Sequence, residues 1–262
     1  MATHLLSFDL RADFACFKKP DVNEGLIMTF NCLHKPALLG IFGAIVGLKG
    51  YSRKGEFPEY YKAFKDVRVG IEPLETFHEK GNFSKTIIKY TNTVGYANAD
   101  GNLIITEQTL VRPGYRCYVL LDDTVEHQET LRNRLLEGES VYLPYLGKNE
   151  FSAWWEGKDE VKEYNFSSLT ASSDFKINSL FIRQYPLIRQ KVNPKFSPSL
   201  RAITNNASYM YFERLPISFN EQLLQYELAE FAFTDWTLKQ DSFFEDLFAI
   251  SNSGQTKIIQ LF

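Results

Sequence analysis

Four residues around one glycine-rich segment have side chains that could cleave a phosphodiester bond without a metal. His34 and Lys35 precede the segment, and Tyr51 and Lys54 follow it in a basic loop. A histidine or a tyrosine can act as a general base, and a lysine can stabilise charge on a phosphate. A ribonuclease with His34, Lys35 and Tyr51 as catalytic residues is therefore one possible function. These residue types are common in loops, so their presence alone does not favour it over a binding function.

Other catalytic and metal-binding motifs are missing from the sequence. It contains no GxxxxGK[ST], GxGxxG, HExxH or GxSxG, and its four histidines and three cysteines lack metal-ligand spacing. We therefore expect no metal and no cofactor. A nucleophilic pair of Cys32 and His34 is conceivable on one strand face. Reduced core residues are the favoured interpretation of Cys16, Cys32 and Cys117, which form no CxxC pair.

Binding chemistry is better represented than catalysis. Tyrosine and phenylalanine are interleaved with lysine and arginine, a pattern that suits single-stranded RNA because bases stack on rings while cations meet phosphates. An ordinary solvated surface remains the alternative for each single cation. The candidate RNA-binding residues are Arg11, Lys18, Lys19, His34, Lys35, Arg53, Lys85, Lys89, Tyr90, Arg112, Arg116, Lys148 and Asn149.

Charge is distributed unevenly along the 262 residues, although the net charge is only −3. Residues 1–120 carry 15 Lys+Arg against 12 Asp+Glu, and residues 173–215 carry 7 against 2. The segments 121–172 and 216–262 are acidic, with 5 against 11 and 2 against 7. Two basic segments on an acidic chain favour a local polyanion site, with ordinary solvated faces as the alternative.

The stretch TFNCLHKPALLGIFGAIVGLK predicts a helix over about residues 36–49, since Pro36 suits a first helical turn. Glycines at 40, 43 and 47 share one helix face, where another backbone could approach closely. No Ser, Thr, Asp or Asn directly precedes Pro36 as a cap. Free N–H groups beside His34 and Lys35 would form an anion site.

Around this helix the pattern alternates strands with helices. Residues 3–19 predict one strand, 57–67 a short helix, 67–74 a strand, and 115–122 a core strand. Residues 83–114 predict a long β-hairpin with its turn at 98–102, where Asp100-Gly101 is the strongest signal. Residues 127–140 predict a helix ending near Gly138. The result is an α+β fold with a ferredoxin-like sheet and helices on one face.

The second unusual stretch is VYLPYLGKNEF, at 141–151. Such a loop can offer backbone N–H groups and Lys148 to a phosphate, or it can be a packed turn. We expect SAWWEG and VKEYNF to form a hairpin after it, and SLTASSD (168–174) to be a linker. Further on, Pro216 marks an edge strand, residues 226–239 are a strand or a helix, and TKIIQLF adds an edge strand.

A membrane or export segment is not expected. The apolar run from Leu38 is shorter than the roughly 20 residues that span a bilayer. The preceding tract, with Asp9 and Asp13, is unlike a signal peptide. These features predict a cytosolic protein.

Three motifs in order carry a family resemblance: ADFACFKKP, HKPALLGIFGAIVGL and YLPYLGKNEF. Together they resemble the Cas-five family of CRISPR-associated proteins, of the type I-B kind. The resemblance covers roughly residues 5–155; the first two motifs are specific, and the third points to the subtype. The last hundred residues resemble the family only in length and character.

This resemblance implies a ferredoxin-like (RRM-like, RAMP) RNA-binding domain at 1–165 and a β-rich extension at 166–262 that packs on it. The hairpin at about 82–112 would be a projecting thumb. It implies a non-catalytic Cascade subunit in the prokaryotic cytoplasm that caps the 5′ handle of the crRNA in antiviral defence. It would bridge the large subunit and the backbone subunits, and meet target DNA only indirectly, through guide pairing.

Catalysis is the rival expectation, since the type I-C relatives cut pre-crRNA with a Tyr, Lys and His set. This sequence has no Lys-His pair after the hairpin, and its only histidine next to a lysine is His34. The resemblance therefore favours a non-catalytic role, with a metal-free pre-crRNA endoribonuclease as the alternative. A protein-interaction module without RNA contact is a third possibility.

Overall fold

The computed structural model describes residues 2–21, 25–92, 103–186, 191–199 and 209–262. The helices are α1 (Lys35–Val46), α2 (Glu59–Phe64), α3 (Glu126–Glu137) and α4 (Gly157–Glu160), with a 3-10 turn at Glu75–Phe77. The strands are β1 (Thr3–Ala12), β2 (Phe14–Ala15), β3 (Phe17–Lys18), β4 (Leu26–Ile27), β5 (Thr29–Phe30), β6 (Arg68–Pro73), β7 (His78–Glu79), β8 (Asn82–Phe83), β9 (Lys85–Asn92), β10 (Leu103–Val111), β11 (Gly114–Asp122), β12 (Ala153–Trp154), β13 (Lys162–Ser168), β14 (Phe181–Gln184), β15 (Met210–Asn220), β16 (Gln225–Thr234), β17 (Leu247–Asn252) and β18 (Gln255–Gln260).

An antiparallel sheet with the strand order β18–β17–β13–β1–β11–β6 is the centre of this mixed α/β fold. In the chain, α1 lies between β1 and β6, and α3 lies between β11 and β13. Leu6, Phe8 and Leu10 alternate along β1 and join Phe42 of α1 and Leu135 of α3 in the main core. The period of two in β1 therefore buries one face of the sheet under the helices.

The opposite face of β1 carries paired charges. Arg116 of β11 donates two hydrogen bonds to the carboxylate of Asp9, at 2.7 and 2.8 Å. Arg11 makes a similar two-bond contact with Glu160, at 2.6 and 2.9 Å. Both guanidiniums are thus held by carboxylates in forked geometry on this face.

The predicted long hairpin is confirmed in its two arms. β9 and β10 pair antiparallel from Lys85 opposite Leu110 to Asn92 opposite Leu103. The predicted turn at 98–102 lies outside the described residues. Ile87 and Ile104 on the arms are exposed, while β10 also pairs with β2 and β4 near the body. The hairpin is therefore anchored at its base.

Two predictions of local structure were wrong. Residues 3–19 are not one strand: β1, β2 and β3 pair with β11, β10 and β5 in turn, so the chain changes partner twice. SAWWEG and VKEYNF do not form a hairpin. β12 and β13 both pair with β1 instead of with each other, and α4 lies between them in the chain.

The C-terminal region is rich in strands, as expected. Residues 226–239 contain strand β16, which pairs with β15 and β14. Pro216 lies on β15 at the edge of that sheet, beside a register shift. β17 and β18 extend the central sheet from β13, and the predicted linker begins where Leu169 donates to the carbonyl of Leu247 at 2.9 Å. The division into two domains stays a prediction.

The three cysteines are buried and form no disulfide, as the sequence predicted. Among the described residues, no helix is both long and apolar enough to cross a bilayer.

Candidate nucleic-acid interface

Helix α1 does not have the uncapped start that the sequence predicted. His34 is its N-cap, and its ring Nδ1 accepts a hydrogen bond from the Ala37 N–H at 3.3 Å. The ammonium of Lys35 donates to the main-chain oxygen of Phe262 at 3.0 Å and is buried. The predicted anion site is wrong because an imidazole nitrogen serves as the capping acceptor and the neighbouring cation is held elsewhere.

His34 is a neutral, buried ring. It is 4% exposed and lies 5.5–5.7 Å, between ring centroids, from Phe17, Phe30 and Tyr226. Burial lowers its pKa to about 3. Since Nδ1 accepts from a backbone N–H, the ring proton must be on Nε2. His34 is therefore an uncharged group with one N–H donor, and it is no cation at neutral pH.

Acid should destabilise the protein through His34. The histidine pKa is about 6.5 in an unfolded chain. Between about pH 6.5 and pH 3 the unfolded state therefore binds a proton at His34, while the folded state does not. The contribution of the neutral His34 ring to the free energy of unfolding is fully present above about pH 6.5 and is lost progressively as the pH falls toward about 3. We expect the wild type to lose about 2 kcal/mol more than His34→Asn between about pH 7 and pH 5. Urea unfolding measures this difference; equal losses in the two proteins would contradict it.

The glycine face of α1 is closely packed at Gly40 and Gly43, but against a side chain and not against the backbone that the sequence predicted. A Cβ added at Gly43 would overlap the Cβ of Tyr60 on α2, and one at Gly40 would lie 3.7 Å from the Tyr60 ring. Gly47 has a different role, because it ends the helix in a left-handed conformation with φ 93°. The small residues thus bring Tyr60 against α1.

Beside this helix face lies a cleft of about 870 Å³. Two of the elements that line it are the stretches singled out in the sequence, α1 and the loop 141–148. The others include the basic loop after α1, the base of the hairpin, the end of β15 and the start of β16. Its polar and aromatic lining includes Lys18, His34, Lys49, Tyr51, Ser52, Tyr60, Tyr90, Glu107, Tyr142, Tyr145, Lys148, Phe219 and Tyr226.

Exposed apolar and aromatic side chains stand at the rim of the cleft. Leu143 is 66% exposed, Tyr51 62% and Tyr142 53%. Tyr60 and Tyr226 are more deeply placed, and burial raises the pKa of Tyr226 to about 12. The cleft therefore offers free ring faces at its rim and neutral hydroxyl groups deeper in, a combination that suits planar aromatic ligands.

An ion pair with a buried carboxylate and a half-buried ammonium crosses the cleft wall. Glu107 of β10 is 2% exposed and accepts hydrogen bonds from the ammonium of Lys148 at 2.9 and 3.1 Å. Lys148 also contacts Glu150 at 3.1 Å and the Tyr90 hydroxyl at 3.3 Å. Burial opposes the charge of Lys148, but these hydrogen bonds outweigh it and raise its pKa. The pair ties the 141–151 loop to the hairpin.

Removing Lys148 should therefore cost stability. Lys148→Met leaves the carboxylate of Glu107 buried without its cation, and we expect the free energy of unfolding to fall by about 2 kcal/mol. Chemical denaturation of the single variant and of Glu107→Gln/Lys148→Met checks this. The double variant should recover most of the loss, because no charge is then left unpaired; equal losses would contradict the account.

The cleft brings together four of the predicted RNA-binding residues and two of the three catalytic candidates, since His34 belongs to both sets. Lys18, His34, Tyr90 and Lys148 line it, as does Tyr51. Its loop neighbour Arg53 instead lines an adjoining cavity of about 360 Å³ with Lys54. A cleft and a flanking basic pocket thus share one side of the molecule.

The remaining predicted residues lie outside the cleft lining. Arg11 and Arg116 are paired on the opposite sheet face, and Lys35 is held by Phe262. Lys19 lies 3.6 Å from Glu213, and Lys85 donates to Asn31 at 2.6 Å. Three exposed residues also lie outside the cleft lining: Lys89, Arg112 and Asn149.

Sequence reasoning missed several lining residues. The aromatic run VYLPYL contained a signal for Tyr142 and Tyr145, since alternate rings flank a proline in a loop. Tyr60, Glu107 and Tyr226 carried no such signal, because they reach the cleft from separate elements.

The described residues hold no group of three or more metal-ligating side chains.

No family model and no curated protein matches the sequence. Solved structures similar to it include CRISPR-associated proteins. A chain titled as a CRISPR RNA-guided surveillance complex has 11% identity and a TM-score of 0.45 over 89% of this chain and 90% of that one. A CRISPR protein from Archaeoglobus fulgidus has 11% identity and 0.49 over 99% of each. A CRISPR-associated protein has 13% identity and 0.32 over 60% and 66%. With TM-scores below 0.5 and identities of 11–13%, these similarities do not establish the function of this chain.

Proposed function

We propose that this chain binds single-stranded RNA in the cleft and is a non-catalytic subunit of a type I CRISPR Cascade complex that holds the 5′ handle of the crRNA. The observation that carries the proposal is the convergence of exposed rings and cations on one cleft. Unpaired bases can stack on the rings while their phosphates meet the lysines.

The rim has both parts of such a site. Tyr51, Tyr142 and Leu143 offer exposed apolar surface, and Lys18 and Lys49 are exposed cations in the same lining. Lys148 is less available, since Glu107 and Glu150 already neutralise it. Phosphate contacts therefore fall to the flanking cations rather than to Lys148.

The order of elements supports the finer fold assignment. Strands in the order β13–β1–β11–β6, with a helix after β1 and another after β11, agree with a ferredoxin-like domain of the RAMP kind. The β9–β10 hairpin is the thumb in this proposal. Its exposed arms and the three sequence motifs support contacts with the backbone and large subunits of Cascade, with the handle in the cleft between thumb and α1.

Absence of catalysis is part of the proposal. A general base needs a free lone pair, and the Nδ1 lone pair of His34 is occupied by Ala37. Lys35 is held by Phe262 and cannot serve as the phosphate cation without leaving it. Incubating the protein with repeat RNA in EDTA should leave the RNA intact. A discrete product that disappears in His34→Ala would support the endoribonuclease instead.

Binding itself is tested by salt titration. Affinity for a single-stranded handle oligonucleotide should fall linearly on a log–log plot against salt, with a slope of about −2 to −3 because few cations line the cleft. Fluorescence anisotropy at several salt concentrations measures the slope. No binding at low salt would overturn the RNA-binding proposal and favour a module that contacts protein only.

A further inference from the structure

The floor of the cleft holds a hydrogen-bond donor that no group in the described ranges of the chain uses. His34 lines the cleft although it is only 4% exposed. Its Nδ1 is engaged by the Ala37 N–H, so the proton is on Nε2, on the other side of the ring. Within the described part of the chain, Nε2 has no hydrogen-bond partner, and it is not among the side-chain atoms sealed from solvent.

The ring carrying this donor is rigidly held. Phe17, Phe30 and Tyr226 contact the imidazole edge-on, with centroid distances of 5.5–5.7 Å, and the cap to Ala37 sets its rotation. Water in the cleft can satisfy this donor while the cleft is empty, but a ligand that covers the ring removes that water and leaves the N–H unpaired unless it brings an acceptor. A fixed and unsatisfied donor therefore discriminates between ligands by whether they bring an acceptor to it.

Acceptors are scarce around it. Glu107 is the one carboxylate in the lining that the structure describes, and Lys148 already binds both of its oxygens. The hydroxyl of Tyr226 stays protonated because burial raises its pKa to about 12, so it can donate to a ligand, while the hydroxyl of Tyr60 already donates to that of Tyr51. The floor is thus matched to a ligand edge that accepts hydrogen bonds.

We propose that the Nε2–H of His34 reads a nucleobase at the floor of the cleft and selects a carbonyl oxygen over an exocyclic amine. This rests on the proposed binding of single-stranded RNA. Uracil presents O4 where adenine presents its N6 amine, which would meet the N–H donor to donor. The site therefore favours uracil over adenine.

Two short homopolymers test the selection. We expect oligouridylate of about eight nucleotides to bind about tenfold more tightly than oligoadenylate of the same length, in EDTA and at low salt. His34→Asn keeps an oxygen at the capping position and lacks any atom at Nε2, and asparagine is a favoured N-cap. It should bind the two oligomers with equal affinity, by losing affinity for oligouridylate. His127→Asn makes the same change outside the cleft and should keep the tenfold preference.

The outcomes separate this inference from the function on which it rests. Wild-type protein that binds neither oligomer overturns the RNA-binding proposal and this inference with it. Wild-type protein that binds both alike, or a His34→Asn protein that keeps the preference, overturns the reading role of His34 alone. Circular dichroism of His34→Asn establishes that it is folded before its binding is compared.

A measurement on the wild type needs no variant at that position to fold. In protein labelled with ¹⁵N-histidine, the His34 ring should show a protonated Nε2 and an unprotonated Nδ1, because Nδ1 accepts from a backbone N–H. Saturating oligouridylate should shift the Nε2 resonance and slow exchange of its proton, while Nδ1 changes little. An Nε2 resonance unmoved by bound oligouridylate would overturn the inference.

Discussion

Gly147→Ala is expected to lower the free energy of unfolding by about 3 kcal/mol or more and to displace the 141–151 loop. Gly147 has φ 86°, which a side chain adopts only with strain. An added Cβ would also overlap the carbonyl oxygen of Cys16, whose main chain cannot move without disturbing β2 and β3. The close approach of these two backbones brings the loop to the cleft.

Gly55→Ala is the matched control for this change. Gly55 has φ 84°, nearly the same backbone strain, but an added Cβ there would have no atom within 4 Å. We expect it to cost about 1 kcal/mol. Urea unfolding of the two variants separates strain from overlap. Equal costs would show that the contact with Cys16 does not hold the loop in place.

Replacing Tyr142 and Tyr145 together with alanine should weaken binding of single-stranded RNA by at least about thirtyfold. Each ring that stacks on a base contributes about 1–3 kcal/mol, and both rings are exposed in the cleft lining. Fluorescence anisotropy with a labelled oligonucleotide measures the loss. The salt slope should stay nearly unchanged, because no cation is removed.

Two controls interpret this result. The double change to phenylalanine keeps both ring faces and should retain binding within a fewfold, which separates stacking from hydroxyl contacts. Phe243→Ala removes an equally exposed ring outside the cleft lining and should have no effect. Undiminished binding by the double alanine variant would show that RNA does not lie in this cleft.

Features determined by local interactions were predictable from the sequence. The arms of the β9–β10 hairpin, the termination of α3 at Gly138 and the small residues of α1 follow from alternation, glycine conformation and helical spacing. The hairpin follows from the alternation within each arm and the turn signal between the arms, and the other two features depend on residues within a few positions of one another, so patterns in short stretches carry the information.

Features determined by distant partners were not predictable. Arg11 and Arg116 resembled free cations, but Glu160 and Asp9 hold them, from positions 149 and 107 residues away. The capping role of His34 was missed because the usual cap residues are Ser, Thr, Asp and Asn. Its neutrality follows from burial by aromatic rings on other elements, and no local pattern shows that burial.

Photocrosslinking tests the central claim, that RNA lies in the cleft, most directly. Single-stranded RNA carrying 4-thiouridine is irradiated with the protein, and crosslinked peptides are identified by mass spectrometry. The account predicts crosslinks in the basic loop containing Tyr51 and in the loop containing Tyr142 and Tyr145, which line the same cleft. Crosslinks confined to the opposite sheet face, around Arg11 and Arg116, would contradict it.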